Sequence, residues 1–106
     1  MSGQRIGTVA DIPPGEARRF EVDGRAVAVV RIDDDFYAIG DVCTHQDISL
    51  SEGEVLAEER QIECWKHGSA FSLETGQPSS LPATRPVPVF DVRREGDDLF
   101  VEVRHA

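Results

Sequence analysis

Asp23-Gly24 separates two β-prone runs, Ala17 to Val22 and Arg25 to Ile32, and no other local feature constrains the fold as tightly. An Asp-Gly pair suits a two-residue hairpin turn because both central positions need positive φ, so the flanking runs are expected to pair antiparallel. The signal repeats along the chain. Asp33-Asp34-Asp35 reads as a second turn leading into Phe36-Tyr37-Ala38-Ile39, and Glu95-Gly96-Asp97-Asp98 joins Val87 to Arg93 with Leu99 to Val103. Strands at this spacing predict an all-β domain, a small antiparallel sandwich or barrel. Only Leu50 to Ile62 has helical character. Gly53 interrupts it and its apolar positions are too few for an amphipathic face, so it reads as a loop with one helical turn. Pro78, Pro82, Pro86 and Pro88 make Gln77 to Pro88 an extended, helix-free connection.

No repeat, low-complexity stretch or linker divides the 106 residues, which are expected to form one domain over 1–106. Twenty acidic side chains against eleven basic ones give a formal net charge of −9, which argues against a nucleic-acid partner because phosphates would repel the chain. No apolar stretch approaches the length of a bilayer span, so no membrane is expected as a partner. Met1 to Asp11 lacks an apolar signal-peptide core, which makes the cytoplasm the expected location. In a reducing compartment the two cysteines, Cys43 and Cys64, point to a metal or a reactive thiol sooner than to a structural disulfide.

The two cysteines fall in two short segments, Cys43-Thr44-His45 and Cys64-Trp65-Lys66-His67, which also hold two of the three histidines. His105 sits beside the C-terminus and reads as a solvated tail residue. A single Cys–His pair would be read as a coincidence; two pairs that use every cysteine are read as a ligand set. Each segment follows a β-prone run, Phe36 to Val42 or Gln61 to Glu63, and loops at the tips of a rigid sheet are where ligands are usually mounted. Three occupants are open. Zinc accepts two sulfurs and two nitrogens, but its usual sites group cysteines with cysteines and histidines with histidines. A bare disulfide leaves both histidines unexplained. A [2Fe-2S] cluster with cysteines on one iron and histidines on the other suits two loops that each supply one of each.

The arrangement C-x-H, eighteen further residues, then C-x-x-H followed by Gly68 resembles the Rieske motif. His67-Gly68-Ser69-Ala70-Phe71, Thr75-Gly76, Pro82-Ala83 and Glu95-Gly96-Asp97-Asp98-Leu99 are also similar to Rieske-type ferredoxins, so the resemblance runs through nearly the whole chain. It implies one [2Fe-2S] cluster per chain, bound by a subdomain of two loops at about 41–84. Cys43 and Cys64 would hold the buried iron, and His45 and His67 the iron facing solvent. Ser69, Phe71, Pro82 and Lys66 would surround the cluster. In respiratory members a disulfide joins the cluster loops; its positions correspond here to Ile48 and Lys66, so that cross-link is missing. Those members also place a serine and a tyrosine near the cluster, where this chain has Ser69 and Phe71.

The function implied is that of a one-electron carrier of a dioxygenase-type system, not an enzyme in its own right. It would take electrons from a flavin-dependent reductase and pass them to a terminal oxygenase as a monomeric cytoplasmic ferredoxin. Only the tail His105 remains beyond the ligand set, too few histidines for a second metal site, and no glycine-rich strand–turn–helix offers a nucleotide site. The alternative is a fixed Rieske-like small subunit of a multi-subunit oxidoreductase such as an assimilatory nitrite reductase, which should expose a large apolar docking patch. His45 and His67 are expected at the docking tip, beside Gln46, Ile48, Trp65, Pro82 and Ala83. The run Gln46 to Glu63 carries six acids against Arg60 and reads as a solvated acidic face, with steering toward basic partners as the sharper possibility.

Overall fold

The computed structural model describes residues 4–22, 24–41, 49–64, 70–78 and 86–102. Its strands are β1 (Gln4–Thr8), β2 (Ala17–Val22), β3 (Arg25–Ile32), β4 (Asp35–Gly40), β5 (Glu54–Leu56), β6 (Gln61–Glu63), β7 (Ala70–Ser72), β8 (Val89–Glu95) and β9 (Asp98–Glu102). Six of them form one antiparallel sheet in the order β1-β9-β8-β4-β3-β2. It curls until β1 approaches β2, giving a nearly closed barrel. The other three form a small antiparallel sheet, β5-β6-β7. The expected all-β fold is therefore the observed one.

The run of Val and Ala in β3 shows why the small sheet sits where it does. Val27 and Val29 point into the barrel with Ile12, Val22, Ala38, Phe90, Leu99 and Val101. Ala28, Val30 and Ile32 point the opposite way, into a second cluster with Ile39, Leu50, Ile62, Cys64, Phe71, Leu73 and Val87. Successive side chains of a strand face opposite sides, so a run that is apolar at every position must be buried on both. Each fully buried Val or Ile here contributes roughly 1.5–3 kcal/mol relative to exposure. The outer face of β3 and β4 is thus a platform, and the small sheet packs on it.

The hairpin turns fall at the expected residues. β2 and β3 pair from Ala17↔Val30 to Val22↔Arg25, and β3 and β4 from Val27↔Gly40 to Ile32↔Asp35. The C-terminal hairpin is tighter than expected: Glu95 pairs with Asp98, leaving Gly96-Asp97 as the turn. Leu50 to Ile62 departs more. It holds the expected single turn, a 3-10 turn at Leu50–Glu52, but then strand β5 and the start of β6. Three-residue strands carry almost no local signal; Val55 is extended because it pairs with Ile62 across the sheet. The strand β1 was likewise illegible, since its extended conformation depends on the distant β9.

Candidate metal centre

Cys64 is the first residue after β6, and Ala70 opens β7. The register places Glu63 opposite Ala70, so β6 and β7 pair directly, and the second Cys–His segment starts at Cys64 where β6 ends. Cys64 has no solvent exposure and carries a free thiol. Cys43, its one possible disulfide partner in the chain, lies outside the described residues.

Three segments, 42–48, 65–69 and 79–85, leave the described structure from roots in one core cluster. Leu50 follows the first, Cys64 and Phe71 flank the second, and Val87 follows the third; all four belong to the cluster on the outer face of β3. The backbone pins each root. Gly40 N–H donates to Pro88 O at 2.9 Å, which ties the start of the first segment to the end of the third. Val87 N–H donates to Gly76 O at 2.9 Å and closes the base of the proline-rich segment. Gly76 has φ +78, and a Cβ there would lie 2.0 Å from Val87 O, so both the turn and the close approach require glycine. Gly53 is needed for space alone, since its Cβ would fall 1.8 Å from Glu63 O.

The first segment has a second restraint that sequence reasoning missed. Asp41 is only 1% exposed. Its carboxylate accepts hydrogen bonds from Ser49 Oγ and, at 2.8 Å, from Ser51 N–H, and it lies 3.6 Å from Arg19 Nε. Its backbone N–H donates to Ala26 O at 3.1 Å, and its carbonyl accepts from Leu50 N–H at 2.5 Å. Asp41 therefore joins the residue before segment 42–48 to the three residues after it. The available signal was an acid and two serines bracketing the C-x-H; nothing local said that this acid, of twenty, is buried.

Of the residues singled out in the sequence, the structure brings together Cys64 and Phe71, both fully buried in the same cluster. Cys43, His45, Lys66, His67, Ser69 and Pro82 lie outside the described residues, as do Gln46, Ile48, Trp65 and Ala83 of the expected docking tip. Among the described residues no group of three or more His, Cys, Asp and Glu side chains offers an alternative metal site.

A family model described as the Rieske [2Fe-2S] domain matches residues 2–91. The 3-phenylpropionate/cinnamic acid dioxygenase ferredoxin subunit of Escherichia coli strain K12 is 40% identical over 98 residues, covering 92% of this chain and 91% of that protein. The ferredoxin of carbazole 1,9a-dioxygenase from Nocardioides aromaticivorans IC177 superposes with a TM-score of 0.94 at 36% identity, covering 98% of this chain and all of the other. A chain in the complex of reduced oxygenase and oxidized ferredoxin in carbazole 1,9a-dioxygenase gives a TM-score of 0.85 at 40% identity, over 93% of this chain and 91% of that one. These likenesses imply a single [2Fe-2S] cluster. The described part of the site fits one: a free, buried thiol stands where β6 ends, and the segment that follows shares its root with two others. Fold, free thiol and near-complete coverage agree, and the chain belongs to the Rieske [2Fe-2S] domain family.

Proposed function

We propose that this protein is the ferredoxin component of a dioxygenase-type system, carrying single electrons from a flavin-dependent reductase to a terminal oxygenase. The observation that carries this reading is the match to ferredoxin subunits at 36–40% identity over more than nine-tenths of both chains. The cluster, when bound, supplies one reversible electron at a time. Cys43 and Cys64 would hold one iron and His45 and His67 the other, with Ser69, Phe71, Pro82 and Lys66 around them, and 41–84 forming the subdomain that binds it. Burial of Cys64 in apolar surroundings keeps water from the sulfur side of the site.

A shuttling, monomeric carrier is preferred to a fixed subunit because the relatives at 36–40% identity are named ferredoxins. Among the described residues, Val89 is the one large hydrophobic side chain left exposed, at 40%. An obligate subunit would need a broad apolar patch. The cytoplasm is the location in this reading, since reducing conditions keep both thiols available to iron. No helix among the described residues is long and apolar enough to cross a membrane.

The test is to purify the protein with its cluster, reduce it through a flavin reductase and NADH, and follow reoxidation by an added Rieske-type dioxygenase. Brown protein that cycles in this way is the expected result. Colourless, zinc-bearing protein, or a cluster no reductase can reduce, would overturn the assignment. Cys64→Ser should yield protein without the iron–sulfur absorption, because loss of one thiolate opens the cluster's anchoring.

A further inference from the structure

We propose that Asp41 is a positioning residue for the cluster: its buried carboxylate fixes both ends of segment 42–48 and so governs how firmly the cluster is held and at what potential. The inference rests on reading Cys43 and His45 as ligands.

Asp41 stands two residues before Cys43, and the groups that reach its carboxylate among the described residues are donors. Ser49 Oγ and Ser51 N–H bond to its two oxygens, and the Arg19 guanidinium on β2 approaches one of them. Ser49 and Ser51 also share a hydrogen bond between hydroxyls at 2.8 Å, so the far end of the segment is itself braced. A carboxylate that is 1% exposed is retained at a cost in desolvation, and two hydrogen bonds and the ion pair with Arg19 are what offset it. Both hydrogen bonds to the carboxylate come from residues beyond segment 42–48, and Arg19 adds a tie to β2. What the arrangement does is hold residues 41 and 49–51 together, and between them lie both ligands of the first segment.

Two consequences separate this role from plain support of the fold. Loosening either end should ease the first segment away from iron, so the cluster should be lost faster to a chelator. A buried negative charge this close in sequence to a ligand also opposes the arrival of an electron, so neutralising it should make the cluster easier to reduce.

The experiment uses the cluster-loaded full chain. Bleaching by excess EDTA is followed for wild type, Asp41→Ala and Ser49→Ala, and the potential is measured for wild type and Asp41→Asn. Asp41→Ala, which removes both hydrogen bonds and the ion pair, should bleach about tenfold faster, and Ser49→Ala, which removes one hydrogen bond to the carboxylate, about fivefold faster. Asp41→Asn, which keeps the shape and an acceptor for Ser51 N–H, should stay loaded and show a more positive potential. Should Asp41→Ala fail to fold, the other two variants decide. Bleaching of Ser49→Ala at the wild-type rate, or a wild-type potential in Asp41→Asn, overturns the proposal. A wild-type protein that loads no cluster at all would instead fail the ligand reading, and Asp41's role with it.

Discussion

Arg60 Nη1 lies 2.9 Å from Asp35 Oδ2, and this pair ties the turn between β5 and β6 to the first residue of β4. The same guanidinium donates to Tyr37 Oη at 2.5 Å and sits 5.7 Å from the centre of that ring. Arg60 has φ +56, a left-handed backbone that a long side chain adopts only under constraint, and its carbonyl accepts from Leu73 N–H at 2.9 Å. The residue locks the small sheet to the barrel at the start of β6, the end away from Cys64.

Replacing Arg60 by alanine removes the tie and keeps the unfavourable φ; replacing it by glycine removes the tie and relieves the φ. The expected melting order of the loaded protein is wild type, then Arg60→Gly, then Arg60→Ala. The Asp35 hydrogen bond and then that of Tyr37 hold the guanidinium above its ordinary pKa. A raised folded value means the contribution is fully present below the ordinary arginine range and lost only as pH rises through the raised one. The difference between wild type and Arg60→Ala should therefore stay flat across neutral pH, and a slope there would argue against the pairing.

Gly76 offers a test of the loop roots. Gly76→Ala would force the Val87 carbonyl away and open the base of segment 79–85, whereas Gly24→Ala, at φ +79 with open space around it, meets only the backbone penalty. That penalty is about 1–2 kcal/mol. Denaturant titration should give a larger loss for Gly76→Ala, and chelator bleaching should accelerate in that variant alone.

Phe71 addresses the potential. Relative to respiratory Rieske proteins, the resemblance implies that Ser69 would keep one hydrogen-bond donor to the cluster and that Phe71 lacks the hydroxyl of the second. Donors stabilise the reduced, more negative cluster, so the wild-type potential is expected near the low end of the Rieske range, roughly −150 mV. Voltammetry should find Phe71→Tyr more positive and Ser69→Ala more negative. Phe71 is fully buried, so a new hydroxyl that reaches no sulfur would instead cost about 1–3 kcal/mol of stability with no change in potential.

The acidic face bears on association. Glu52, Glu54, Glu58 and Glu59 are exposed on or beside the small sheet, within a chain of net charge −9. If that face steers the carrier toward a basic site on its oxygenase, stopped-flow association should slow steeply as salt shortens the screening length from about 30 Å at 0.01 M to about 8 Å at 0.15 M. Glu58→Gln with Glu59→Gln should reduce the low-salt rate. A salt-independent rate would leave the face as solvated surface.

By itself the sequence determined the hairpins, because Asp23-Gly24 and the aspartates at 33–35 dictate turns through local backbone preference. The candidate ligand set was read from the chain in the same way, since a cluster restricts its ligands to residue types and short spacings; of its four members the structure describes Cys64. Tertiary structure alone decided the rest. Whether the apolar run of β3 was buried on one face or two depended on where β5, β6 and β7 would pack, and those three-residue strands exist only through their pairing. Which acid would be buried was undecided for the same reason. Among the described acids Asp41 is set apart by what the fold brings around it: Ser49, Ser51 and Arg19, from a loop end and from β2. A side chain's intrinsic chemistry is written in its name, but its surroundings are set by contacts between residues far apart in the chain.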